Sequence, residues 1–181
     1  MKKYPFLIAF ILLSMVVMAS GCISDNNTNK TNTYSKNGIS FQYNGTWEVS
    51  NTTISVPNAI VGVGDPKTVD AQTKYPSTFV LIQKANSTLG NDLSNAYTQN
   101  YAKFFNNTNN SHISEANITV NNNKAMENVY MTTSGGVQTE MRAVWMAQNG
   151  AIYVILCGAL PSNFDKEQKN FDLVINSFKA Q

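Results

Sequence analysis

Ionisable side chains are scarce in this sequence: Asp, Glu, Lys and Arg together make up 13% of 181 residues. There is one histidine, His112, and one arginine, Arg142, and cysteine occurs only at Cys22 and Cys157. Two cysteines and one histidine cannot build a tetrahedral zinc cage or a disulfide scaffold. Gly62-Val63-Gly64-Asp65-Pro66 follows a strand as a phosphate loop would, but Pro66 and the polar stretch after it do not open the helix a phosphate needs, so it reads as an ordinary loop. Basic charge is no more abundant. Lys2 and Lys3 lie in a leader, which leaves 11 basic against 11 acidic residues from Cys22 onward. A near-neutral chain lacks the clustered positive face that nucleic acid demands, so nucleic-acid partners are excluded.

Long apolar runs are also few, and the one present is informative. Phe6 to Ala19 is apolar apart from Ser14, about 14 residues against the roughly 20 that span a bilayer. Preceded by Lys2 and Lys3, it reads as the core of a signal peptide. Ala19-Ser20-Gly21-Cys22 follows. Small residues before a cysteine are similar to the lipobox of prokaryotic lipoproteins, in which that cysteine is acylated and becomes the first mature residue. The alternative is an uncleaved leader helix. Both readings predict an exported domain on the outer face of the cytoplasmic membrane, held through a lipid on Cys22 or through the leader.

The expected organisation is a signal peptide over 1–21, an Asn/Thr-rich tether over 22–36 and one folded domain over 37–181. The tether has almost no apolar content and is expected to stay disordered, with a reach of roughly 20 Å. Asparagine is abundant: 25 residues, eight of which begin an Asn-x-Ser/Thr sequon. In the folded domain these are Asn44, Asn51, Asn86, Asn106, Asn109 and Asn117, candidate N-glycosylation acceptors on an exported surface.

From Gly38 the hydropathy becomes periodic. Ile39–Tyr43 alternates as a half-buried strand does, Asn44-Gly45 marks a hairpin turn, and Trp47–Val49 continues the strand sense. Short strands are expected at Ile54–Val56, Ile60–Val63 and Thr78–Gln83, with a loop over Gly64–Ser77. Leu93, Ala96, Tyr97, Tyr101 and Phe104 recur at helical spacing within Asp92–Phe105. A meander follows: Ile113–Val120, Lys124–Thr133, Val137–Ala147 and Ala151–Gly158. Its turns are asparagines, Ser134-Gly135-Gly136 and Asn149-Gly150. A last helix begins near Pro161, with Asp165 and Glu167 expected in its first turn and Phe164, Phe171, Val174, Ile175 and Phe178 as its apolar stripe. The strand Ile152–Cys157 is apolar on both faces and must be covered on both. The pattern therefore predicts an α+β fold: an α/β/α sandwich whose central antiparallel sheet has about six strands. Cys157 is expected to be a buried, inert thiol.

Asn37-Gly38-Ile39-Ser40-Phe41-Gln42-Tyr43-Asn44-Gly45-Thr46-Trp47 resembles the opening hairpin of the PsbP family, extrinsic lumenal proteins of photosystem II. Ile152–Val154 and Phe171–Phe178 resemble that family's last strand and last helix. The resemblance covers about residues 37–179. Among PsbP relatives the chain looks closest to small lipoproteins of methane-producing archaea. It implies the Mog1/PsbP-like sandwich.

Catalytic constellations are hard to assemble from these residues. His112 stands alone beside a polar loop, and Glu115, Glu127 and Glu140 lie on separate strands. Asp65, Asp70 and Asp92 have no EF-hand spacing. Glu140 and Arg142 share one strand face and form a candidate interaction patch. The reading is a membrane-anchored binding or assembly module without catalysis, cofactor or metal, whose partner is another envelope protein or membrane complex. The alternatives are a receptor for a small ligand or calcium, and an envelope enzyme using a cleft at the sandwich edge.

Overall fold

The computed structural model describes residues 30–50, 58–71, 73–85, 92–105 and 110–181. Ten strands and two α-helices are present among them. Seven strands form one sheet in the order β3 (Glu48–Val49), β4 (Ala59–Gly64), β5 (Phe79–Lys84), β9 (Ala151–Ala159), β8 (Val137–Gln148), β7 (Asn123–Ser134) and β6 (Asn110–Val120). Every pairing is antiparallel. Three others form a small sheet, with β2 (Ile39–Asn44) between β1 (Thr31–Lys36) and β10 (Lys179–Ala180).

The meander follows from its turns. Asn121-Asn122, Gly135-Gly136 and Asn149-Gly150 all hold positive φ, as the tight turn matching the right-handed twist of a hairpin requires. On β9, Tyr153, Ile155 and Cys157 join the larger core beneath helix α2 (Pro161–Ser177), while Leu156 packs into a second cluster on the opposite face. Helix α1 (Leu93–Phe105) lies on that second face, bringing Phe105 to it. A strand apolar on both sides is thus covered on both, in the layer order helix, sheet, helix.

The central sheet has seven strands where the sequence suggests about six, and β2 is not one of them. Asn44-Gly45 is not the turn of a hairpin. The Trp47 N–H closes onto Asn44 O at 2.9 Å, and Asn44 Oδ1 accepts from the Thr46 N–H and hydroxyl. The chain thereby leaves the small sheet and enters the large one at β3. Gly45 is required here: a Cβ would stand 2.5 Å from Lys30 O, which its own N–H bonds.

The tether expected as far as residue 36 gives way to strand at Thr31. Only Tyr34 of β1 is buried, stacked on Phe41 with ring centroids 5.2 Å apart. β1 is held by its backbone ladder to β2, so hydropathy alternation does not reveal it. The signal was Asn37-Gly38, whose φ values of 55° and 73° make the hairpin turn. Helix α2 starts at Pro161, whose fixed φ suits a first helical position, so no acidic residue lies in its first turn and Asp165 and Glu167 fall in the next. The leader, Cys22 and Ile54–Val56 lie outside the described residues. Among those described, no helix is long and apolar enough to cross a membrane.

Candidate functional site

The α1 face of the sheet carries a hollow. Across one row of paired residues, Leu156 on β9 stands beside Ala143 on β8, and Ala143 beside Asn128 on β7. The next inward rows place Trp145 against Val154 and Tyr130 against Met141. A small Ala143 between bulky rows leaves space, and α1 spans it as a roof. The result is a cavity of about 310 Å³, walled by Tyr97, Phe104, Phe105, Tyr130 and Trp145 with Val154 and Leu156. Tyr97 meets Trp145 edge-on at 5.8 Å, and Phe104 meets Tyr130 at 4.7 Å. Phe104 is 37% exposed and marks the mouth.

Three amide side chains also line the cavity: Gln83, Asn100 and Asn128. Asn100 donates to Ala96 O at 2.7 Å, within the helix. Asn128 is only 5% exposed, and its Oδ1 has no hydrogen-bond partner among the described residues. A buried carbonyl left unpaired costs about 1–3 kcal/mol, so Asn128 Oδ1 stands out. Burial pushes the Tyr130 phenol well above its ordinary value, with Cys157 adding to the shift, so Tyr130 stays neutral. The lining offers ring faces, apolar surface, amide groups and phenol hydroxyls, and no charged side chain among the described residues.

The opposite face holds a polar clamp. Arg142 Nε donates to Glu127 Oε2 at 2.6 Å, and its Nη1 donates to Asp172 Oδ1 at 2.7 Å and Gln168 Oε1 at 3.0 Å. Burial alone would lower the guanidinium, but the bonds from Asp172 and Glu127 outweigh it and hold Arg142 above its ordinary value. Arg142 thus ties the sheet to α2. Glu140, two residues away, is raised by desolvation and by the nearby Asp165 charge. At Arg142 the candidate interaction patch is also a joint between the sheet and α2.

The remaining candidates are placed as follows. Cys157 is fully buried, and desolvation drives its thiol well above the ordinary range. His112 pairs with Tyr130 across β6 and β7, and its ring meets Phe105 at 5.8 Å, behind the cavity mouth. Glu115 sits opposite Asn128 on the cavity face, whereas Glu127 and Glu140 take the other face. Glu127 lies opposite Val144, four residues along β8 from Glu140, so the three glutamates do not meet. Asp65, Asp70 and Asp92 each accept a local backbone N–H, from Lys67, Thr73 and Asn95. No cluster of three metal-binding side chains occurs among the described residues. Asn117 is exposed on β6, while Asn44 Nδ2 donates to Asn170 Oδ1 at 3.0 Å. Asn51, Asn86, Asn106 and Asn109 lie outside the described residues. The cavity was missed by sequence reasoning because Tyr97 and Phe104 look like ordinary core on a helical wheel. The available signal was Asn128, a polar residue at an inward position of a strand.

A seven-stranded antiparallel sheet between helix layers, with an N-terminal hairpin on one face, defines a PsbP-type sandwich. The family model described as PsbP-like protein matches residues 17–180, and the chain belongs to that family. The solution structure of cyanobacterial PsbP (CyanoP) from Synechocystis sp. PCC 6803 is similar at a TM-score of 0.61 and 16% identity, over 87% of this chain and 98% of that one. LpqN, involved in cell envelope biogenesis of Mycobacterium tuberculosis, is similar at 0.55 and 11% identity, over 83% and 90%. At these identities the likeness is one of fold. No curated protein sequence matches the chain significantly.

Proposed function

We propose that the chain is an exported module, anchored on the outer face of the cytoplasmic membrane, that acts by holding a partner or ligand and not by turning over a substrate. The leader carries this reading: two lysines, a short apolar run and Ala19-Ser20-Gly21-Cys22 ahead of a PsbP-like domain. The placement of reactive groups supports it. Arg142 is bonded into the fold, Cys157 is buried, and Asp65, Asp70 and Asp92 each cap a turn. The envelope setting follows from the leader and accords with the described role of LpqN. Of the alternatives, a receptor for a small ligand is favoured by the aromatic cavity. Calcium binding and envelope catalysis have no comparable feature behind them.

Cys22→Ser tests the anchoring. Expressed in a host that processes lipoproteins, the native chain is expected in the membrane fraction, with a mass showing a diacylglycerol thioether and loss of residues 1–21. The variant is expected to keep its leader or to leave the membrane. Equal mass shifts and equal membrane retention for both chains would reject lipidation at Cys22.

A further inference from the structure

We propose that the cavity under α1 is a binding site for a neutral planar aromatic group carrying one N–H or O–H donor, of the indole or phenol class. This goes beyond the anchoring reading and does not depend on it. Ligand sites begin near 300 Å³, and an apolar cavity of about 150 Å³ already accepts a benzene ring. The 310 Å³ space therefore suits one or two fused rings and is too small for a long chain or a sugar oligomer.

The walls select the ring. Trp145, Tyr97, Phe104 and Tyr130 already meet one another edge to face, so a further ring can join the set by the same quadrupole-matched contacts. Among the described residues the lining has no charged side chain, which disfavours an ionised ligand. Asn128 then selects the donor. Asn128 lines the cavity, and its Oδ1 is buried and lacks a partner among the described residues. An N–H or O–H on the incoming ring satisfies it, whereas the same ring without a donor leaves it stranded. A site built to accept a hydrogen bond discriminates strongly against an analogue that lacks the donor.

Such a ring could come from a free small molecule or from a tryptophan or tyrosine side chain of an envelope partner, and one titration separates the two. The full chain in lipid nanodiscs is titrated calorimetrically with indole, 1-methylindole and N-acetyltryptophanamide, with heats from empty nanodiscs subtracted. Indole is expected to bind saturably and at least tenfold more tightly than 1-methylindole, in which the donor is blocked. In Asn128→Leu, which keeps the side chain's size and removes the acceptor, that difference is expected to vanish. Should Asn128→Leu fail to fold, the comparison of the two probes on the native chain decides the matter alone. Tighter binding of N-acetyltryptophanamide than of indole assigns the site to a partner's side chain, and weaker binding assigns it to a free molecule. Absence of saturable binding, or equal affinity for indole and 1-methylindole on the native chain, overturns the proposal.

Discussion

Arg142 shows how much one residue can be asked to hold. Its guanidinium bridges Glu127 on the sheet and Asp172 on α2, with 16% of its side chain exposed. Removing a charge from a buried pair leaves its partner uncompensated. The full cost of about 3–5 kcal/mol falls for a joint partly open to water, because solvent takes up part of the stranded charge. Arg142→Met is expected to lose about 2 kcal/mol in denaturant unfolding. Arg142→Lys should recover only part of it, since a lysine ammonium cannot reproduce the two-sided fork. Unchanged stability of Arg142→Met would show that packing alone seats α2. The lone arginine was conspicuous in the sequence, but its partners were not. Glu127 is 15 residues away and Asp172 is 30 residues away, and only the strand register and the helix placement bring them together.

At the scale of elements, α2 and the meander do most to define the fold. Phe171 is fully buried, against Phe164 at 5.7 Å and Trp47 at 6.4 Å. Phe171→Ala is expected to destabilise by about 3–5 kcal/mol in urea unfolding. A loss below about 1 kcal/mol would mean the helix rearranges to fill the space. These elements were legible because local physics specifies them: Asn-Gly and Gly-Gly turns between alternating runs, and a helical stripe from Phe164 to Ile175, with Phe178, expected on that stripe, instead capping the helix in extended backbone. The partition into two sheets was not legible. Ile39–Tyr43 alternates as a strand of either sheet would, and what diverts it is a close backbone approach between Gly45 and Lys30. The cavity escaped for a related reason. Ala143 is unremarkable in its own strand, and it makes a hollow with Asn128 only when the two are paired across β7 and β8.

For the whole molecule, the larger core joins both sheets. Ile39, Phe41 and Tyr43 from the small sheet share it with Val63, Ile82, Ile155 and Phe178. The small sheet has no interior of its own, and the two clusters of the large sheet lie on opposite faces of the same strands, so the domain is expected to unfold in one step. Trp47 lies within the shared core and Trp145 on the cavity face, which gives each region a reporter. Trp47→Phe and Trp145→Phe, each followed by the fluorescence of the remaining tryptophan, should have transitions coincident with their own far-UV circular dichroism. A fluorescence midpoint clearly displaced from it in either variant would show that one face opens separately.

The small sheet also has a mechanical consequence. In a chain fixed at Cys22, a pull between membrane and domain reaches the described residues at Lys30, and Thr31 stands opposite Asn44, where β2 leaves for the rest of the molecule. Force and restraint therefore meet at the same end of the β1–β2 hairpin. The ladder opens rung by rung from Thr31, beginning beside the Gly45 N–H to Lys30 O bond, instead of shearing all its bonds together. β2 is backed by β10 and bonded to α2 through Gln42 and Asn44, so it stays in place as β1 peels. If the chain is anchored in this way, six residues of β1 paid out at roughly 3.3 Å each would lengthen its link to the membrane by about 20 Å, and the strand would yield before the core does.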